Sequence, residues 1–266
     1  FRYSRFAKVL CLNQHIGKPA KPVVQKGDQV LAGQLIAEAD GFVSANIVSS
    51  CSGTVKAIEE RHTISGGRAT CIVIANDGLF NAAPGIGIDR EASAFSGPQI
   101  LDAIKWAGIV GLGGAGFPTH VKLAPRNPEQ IDYVIANGSE CEPYITCDDQ
   151  LMRTQSSGIV EGMRLVLRLF PNAKGVIAIE DNKPEAIEAM AHACEGDANL
   201  SVLPVMAKYP EGGERSLIGV VTGRQLRFGQ LPADLGWVVC NVSTLNAIYR
   251  AVCKTEPLLG RLFTVS

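Results

Sequence analysis

The chain has 266 residues, 46% hydrophobic and 19% charged, with a formal net charge of -1. That length suits one large domain or two modest ones, each with a buried core. The near-neutral charge gives no electrostatic case for nucleic acid or an acidic membrane surface. No apolar run approaches the roughly 20 residues that span a bilayer, so work at a membrane is expected through partners, without direct insertion.

To about Asn76 the chain has β character. Ala7–Leu12, Val23–Val24, Gln34–Ala37, Gly53–Ile58 and Thr70–Ile74 are short and apolar, punctuated by glycine and aspartate. Val24-x-Lys-Gly-Asp-x-Val30, Gly33-Gln34 and Cys51-Ser-Gly-Thr-Val-Lys-Ala-Ile58 resemble a biotinyl/lipoyl-type sandwich, placed at residues 1–80. Such carriers display a modifiable lysine on a hairpin tip. Here that hairpin reads Glu38-Ala-Asp-Gly-Phe42, and no lysine lies between Lys26 and Lys56. The domain therefore reads as scaffolding or a docking surface.

From about Pro98 helices and strands alternate. Gln99–Trp106 reads as a helix and Tyr133–Ala136 as a buried strand. Ile159, Met163, Val166, Leu167 and Phe170 recur at helical spacing up to Pro171. Strand Val176–Ile179, a helix from Pro184 to about Cys194, strand Leu200–Val205, a turn at Gly212-Gly213, strand Val238–Cys240 and helix Ser243–Val252 follow. This alternation predicts an α/β domain over 81–266, a Rossmann-like, mostly parallel sheet with flanking helices and ligands at the carboxyl ends of its strands. Arg261-Leu-Phe-Thr-Val-Ser266 reads as an opening strand, and both ends of the chain look cropped.

Eight cysteines are scattered without a C-x-x-C pair. A reducing compartment and buried free thiols are expected. Cys141 and Cys147 fit no common zinc or iron–sulfur spacing, so no metal is expected in these residues.

The chemistry concentrates in two segments. In Gly111-Leu-Gly-Gly-Ala-Gly-Phe-Pro-Thr119 the glycines 111, 113, 114 and 116 leave bare backbone on which a ring or phosphate can lie. Phe117 adds an aromatic face and Lys122 a cation. The second segment, Asn137-Gly-Ser-Glu-Cys-Glu-Pro143, suits ligand hydroxyls or ring N–H donors. Together they read as a nucleotide or flavin site. Gly111, Gly113 and Gly116 match G-x-G-x-x-G, but the preceding segment looks helical, and Glu129 and Asp132 fall before the next strand. An ordinary dinucleotide fingerprint is disfavoured, and the absence of G-K-[ST] excludes a P-loop.

Gly111–Lys122 with Asn137–Pro143 resembles the flavin loop of the NADH-binding, FMN-containing subunit of respiratory complex I. More of the chain resembles the C subunit of the Rnf (Rsx) electron-transport complexes. The likeness lies in Gly111–Leu123, Glu140-Cys-Glu-Pro-Tyr-Ile-Thr-x-Asp-Asp149, Gly175–Pro184, Lys208-Tyr-Pro-Glu-Gly-Gly-Glu214, Thr222-Gly-Arg224 and Asn241-Val-x-Thr244. It runs from about His15 to the end. Leu112, Ser139 and Arg215 depart from the complex I pattern, which has arginine, aspartate and glutamate there.

The resemblance implies FMN on Gly111, Gly113, Gly114 and Gly116, with Lys122 at the phosphate or the electron-rich flavin edge. Asn137 and Glu140 would meet the ring or ribityl chain, Asn241 with Thr244 the phosphate side, and Ser139 counts among the cofactor-binding residues. Phe117 would stack on the adenine of NADH, while Glu142 and Glu214 hold dinucleotide hydroxyls or amide. The implied chemistry is hydride transfer between NAD(H) and flavin, with no catalytic acid–base residue, coupled to ferredoxin oxidoreduction and ion translocation. Two [4Fe-4S] clusters would lie only in a C-terminal region absent from this sequence. The expected partners are other members of a membrane complex, at the cytoplasmic face of a bacterial inner membrane. The alternative is a non-catalytic scaffold or quinone-contacting subunit, like that of the sodium-pumping NADH:quinone reductase.

Overall fold

Glycine-punctuated apolar runs fold as antiparallel strands through residue 76. The structure, a computed structural model, describes residues 7–63 and 66–265. Strands β1 (Lys8–Cys11), β3 (Gln29–Val30), β6 (Gly53–His62) and β7 (Arg68–Asn76) form one sheet in the order β1-β7-β6-β3. A second sheet holds β2 (Lys21–Pro22), β4 (Leu35–Glu38) and β5 (Ile47–Val48). Leu10, Ile36, Ile47, Val55, Ile72 and Ile74 meet between them as one apolar core. Each such side chain contributes about 1.5–3 kcal/mol on burial. This is the sandwich the sequence predicts.

Register, rather than hydrophobicity, moves the expected strand at Val23–Val24 to Lys21–Pro22, opposite Glu38 and Ala37. The β6–β7 hairpin also runs beyond its apolar part, through Glu59–His62.

By packing, the chain divides into two compact units, Phe1–Val121 with Arg250–Gly260 and Lys122–Tyr249 with Arg261–Ser266. The expected boundary at residue 80 falls inside the first unit. There α1 (Gly97–Trp106) is followed by Ala107, whose carbonyl accepts the Leu258 N–H at 3.0 Å. Ser96 and Gln99 form the capping box that starts α1.

The second unit is built on four parallel strands, β8 (Tyr133–Gly138), β9 (Lys174–Glu180), β10 (Leu200–Val205) and β11 (Trp237–Asn241), in the order β10-β9-β8-β11. Short α2 (Thr119–Lys122) precedes them. Helices α3 (Cys147–Thr154), α4 (Ser156–Leu167) and α5 (Pro184–Ala193) pack against the sheet and one another. On one face, Leu217 and Ile218 of α6 (Glu214–Thr222) join Ile135, Ala178, Val205, Trp237 and Val239. On the other, Met152 of α3 lies over Gly138. Helix α7 (Val242–Cys253) follows β11 directly. Covered on both faces, the strands read as nearly continuous apolar runs. Residues 261–265 form no strand, correcting the expected one; Thr264 Oγ1 instead accepts the Thr146 N–H at 2.9 Å. Ser266 lies outside the described residues.

Candidate functional site

In chain order the parallel strands run 3-2-1-4 across the sheet, so connections leave in opposite directions on either side of β8 and β11. In an open α/β sheet, the crevice beyond the carboxyl ends at such a switch point is where ligands bind. Asn137, one residue before the end of β8, stands beside Asn241, which ends β11, and the two are register partners. Two of the sequence-predicted residues thus stand side by side at this point.

Their side chains shape the loops around it. Asn137 Nδ2 donates to the Gly212 carbonyl at 2.8 Å, and its Oδ1 accepts the Ser139 N–H at 3.0 Å. Gly212 is required here, because a Cβ would lie 2.5 Å from the Ser139 carbonyl oxygen. The turn at residues 210–213 consequently rests on the Asn137–Cys141 segment and delivers Glu214 to the start of α6. Lys122 Nζ donates to Glu214 Oε1 at 2.8 Å and to the Val239 carbonyl of β11 at 2.9 Å. Beneath this pair, burial pushes the Cys240 thiol up to about 11, opposed by Lys122 and assisted by Glu214.

Glu140 is drawn into the fold. Its Oε1 accepts the Asp148 N–H at 2.9 Å and its Oε2 the Asp149 N–H at 3.1 Å, capping the first turn of α3. Asp148 in turn accepts from Asn241 Nδ2 and Ser243 Oγ, both at 2.6 Å. It ties α3 to the junction of β11 and α7. Burial raises the Asp148 pKa; hydrogen bonds from Ser243 and Asn241 pull it down, and Glu140 pushes it up. Thr244 is buried in the first turn of α7.

A cleft of ≈ 530 Å³ opens beside the carboxyl ends of β8, β9 and β10, lined by Glu140, Glu142, Tyr144, Arg153, Lys183 and Tyr209 among others. Glu142 is exposed on its rim. At its base Lys183 Nζ pairs with Glu180 Oε2 at 2.5 Å and donates to the Glu140 carbonyl at 3.3 Å. The side chains of this pair are only 11% and 3% exposed.

In the first unit, the glycine segment is pinched into a closed loop. Val110 bridges Pro118, and the Gly111 N–H donates to the Phe117 carbonyl at 2.8 Å. Gly114 (φ 129°) and Gly116 (φ 64°) occupy left-handed backbone that other residues resist. Gly113 and Gly114 are exposed, with nothing within 4 Å of where a Gly114 Cβ would stand, and Phe117 is half-buried.

Among the described residues, two buried side-chain polar atoms lack a hydrogen-bond partner: Thr119 Oγ1 and Ser139 Oγ. One closes the glycine loop and the other follows Asn137. Thr119, Asp148 and Lys183 received no role from the sequence, although each lies in a segment carrying the resemblance. A threonine directly after the glycine loop was the available signal for the first. The partners of Asp148, 93 and 95 residues away, left none for the second.

The sequence model of the Nuo51 FMN-binding domain matches residues 104–250. The chain belongs to this family. The RnfC barrel sandwich hybrid domain matches residues 5–79 of this FMN-binding-domain protein. Over 255 residues the chain is 47% identical to the C subunit of the proton-translocating ferredoxin:NAD(+) oxidoreductase complex of Clostridium ljungdahlii, covering 96% of this chain and 56% of that protein. The Na(+)-translocating counterpart of Acetobacterium woodii is 43% identical, with coverages of 96% and 58%. The chain therefore spans just over half the length of these relatives. An NAD+-reducing [NiFe]-hydrogenase structure is also similar, at TM-score 0.52 and 27% identity over 62% of this chain and 31% of that one. The resemblance to the Rnf C subunit thus holds along nearly the whole sequence. Within the first unit, the unpaired buried Thr119 hydroxyl and an open, side-chain-free loop surface fit a planar group with hydrogen-bonding edges, as a flavin is.

Proposed function

We propose that this chain is the FMN- and NAD(H)-binding module of an Rnf-type ferredoxin:NAD oxidoreductase complex. The observation that carries the reading is the switch-point crevice between Asn137 and Asn241, with the Ser139 hydroxyl unpaired beside it. Lys122 offers the FMN phosphate or the electron-rich flavin edge a cation already anchored by Glu214 and the Val239 carbonyl. Ser139 gains the partner it lacks, and Asn241 with Thr244 sits where the start of α7 favours negative charge. Gly111, Gly113, Gly114 and Gly116 keep side chains off the loop surface. Phe117 supplies an aromatic face for the adenine, and Glu142 and Glu214 supply acceptors for dinucleotide hydroxyls.

Bound FMN supplies hydride exchange with the nicotinamide and onward release of single electrons. The protein's task is to hold and orient, so no side chain is assigned a proton-transfer role. Other members of a membrane complex are the proposed partners, at the cytoplasmic face of a bacterial inner membrane, with electron flow coupled to ion movement there. No helix among the described residues is long and apolar enough to cross a membrane, which suits a peripheral position. Equilibrium titration with FMN and with riboflavin tests the reading. FMN binding with riboflavin clearly weaker supports it, and a folded chain indifferent to both overturns it.

A further inference from the structure

Cys11 and Cys71 have no part in the site described above. Leu12 and Thr70 continue the β1–β7 register, and the Leu12 N–H donates to the Thr70 carbonyl at 2.9 Å. Because bonded and non-bonded pairs alternate along an antiparallel ladder, the adjacent partners Cys11 and Cys71 are a non-hydrogen-bonded pair. Such residues have Cα atoms about 4.5 Å apart, within the roughly 4.4–6.8 Å that a disulfide bridges. The two Sγ atoms lie 2.7 Å apart. Cys71 is fully buried, whereas Cys11 is half-buried on β1, an edge strand of its sheet.

The chain just after Cys11 leads to the glycine loop. The Leu12 carbonyl accepts the Ala20 N–H at 2.9 Å, closing residues 12–20 into a loop. Within it, the Ile16 N–H donates to the Gly116 carbonyl at 3.1 Å. Cys11 stands one residue outside the base of the loop that holds Gly116.

We propose that Cys11 and Cys71 form a thiol-modification site, which a small-molecule disulfide of the glutathione type converts to a cross-strand disulfide that tethers this loop. The Cys11 thiolate attacks one sulfur of the oxidant, whose S–S bond breaks, and the first small thiol leaves. Cys71, on losing its proton, attacks Cys11 Sγ and breaks the mixed disulfide, releasing the second. Two protein thiols are oxidised, one small disulfide is reduced to two thiols, and the protons end on those thiols. Burial and the adjoining Cys11 push the Cys71 thiol up to about 12, so Cys11 meets the oxidant first and closure is slow.

The test incubates the folded chain with oxidised glutathione, alkylates remaining thiols and maps the peptides by mass. The expected product joins the peptides carrying Cys11 and Cys71 with the loss of two hydrogens. In Cys11→Ser, Cys71 is expected to carry no adduct. A lasting glutathione adduct on Cys11 with Cys71 still free, or an adduct on Cys71 in Cys11→Ser, overturns the site. Amide exchange at Ile16 reads the tether. It is expected to slow several-fold on oxidation, and equal exchange in the two states overturns the link to the glycine loop. Neither readout depends on flavin binding.

Discussion

Asn137 and Asn241 are register partners at the carboxyl ends of β8 and β11. Each commits its side chain to a neighbouring segment: Asn137 to the turn at Gly212, Asn241 to Asp148 in the first turn of α3. The crevice between the strands is thereby framed by fixed backbone, while the Ser139 hydroxyl stays unpaired. A site whose walls are already hydrogen-bonded loses little ordering entropy when a ligand arrives.

Asp148 holds one side of that frame, and its raised pKa makes the effect visible in pH. A carboxyl whose folded-state pKa lies above the unfolded value stabilises the fold most below the unfolded value, near 3.9. That contribution is lost as pH rises through the folded-state value. Asp148→Asn is therefore expected to flatten the decline in thermal midpoint above about pH 4. Asp148→Ala, which strands Asn241 Nδ2 and Ser243 Oγ, is expected to cost about 1–3 kcal/mol. Thermal melts across the acid range decide it; parallel curves for wild type and Asp148→Asn would contradict this assignment.

Lys122→Met separates ligand binding from stability. The Lys122 and Glu214 side chains are 35% and 42% exposed, so solvent screening limits the pair's value to about 0–1 kcal/mol. Losing a charge-assisted bond to FMN is worth more, and affinity is expected to fall about 10- to 100-fold. Fluorescence titration of FMN beside a thermal melt measures both. An unchanged dissociation constant would remove Lys122 from the proposed site.

The Lys183–Glu180 pair is a different case because it is buried. Lys183→Met leaves the Glu180 carboxylate unpaired, at an expected cost of about 3–5 kcal/mol. Adding Glu180→Gln removes the stranded charge and is expected to recover much of the loss. Denaturant melts of both variants test this. A single variant as stable as the wild type would mean that the pair contributes nothing at the base of the cleft.

The parallel sheet was legible because its strands are unbroken apolar runs. Leu200–Val205 has the predicted limits, and α5 begins at the predicted Pro184. Helix α6 shows in the sequence only as a turn, since the glycines before Glu214 mask its start. Helix α3 was hidden for another reason: Glu140, which caps it, lies seven residues upstream in an irregular turn. The two-residue strands β3 and β5 are too short to show alternation. The glycine loop and the Asn137 turn stood out by composition, whereas the Lys122–Glu214 pair joins residues 92 positions apart. Pairings of that kind arise only once the sheet order is set.

The most direct test of the central claim is an anaerobic titration of the purified chain, loaded with FMN and freed of excess, with NADH while flavin absorbance is followed. The proposed function predicts that flavin is retained and that its absorbance bleaches as NADH is added. A folded chain that holds no flavin, or holds it without any response to NADH, would contradict the FMN- and NAD(H)-binding module and favour a non-catalytic scaffold.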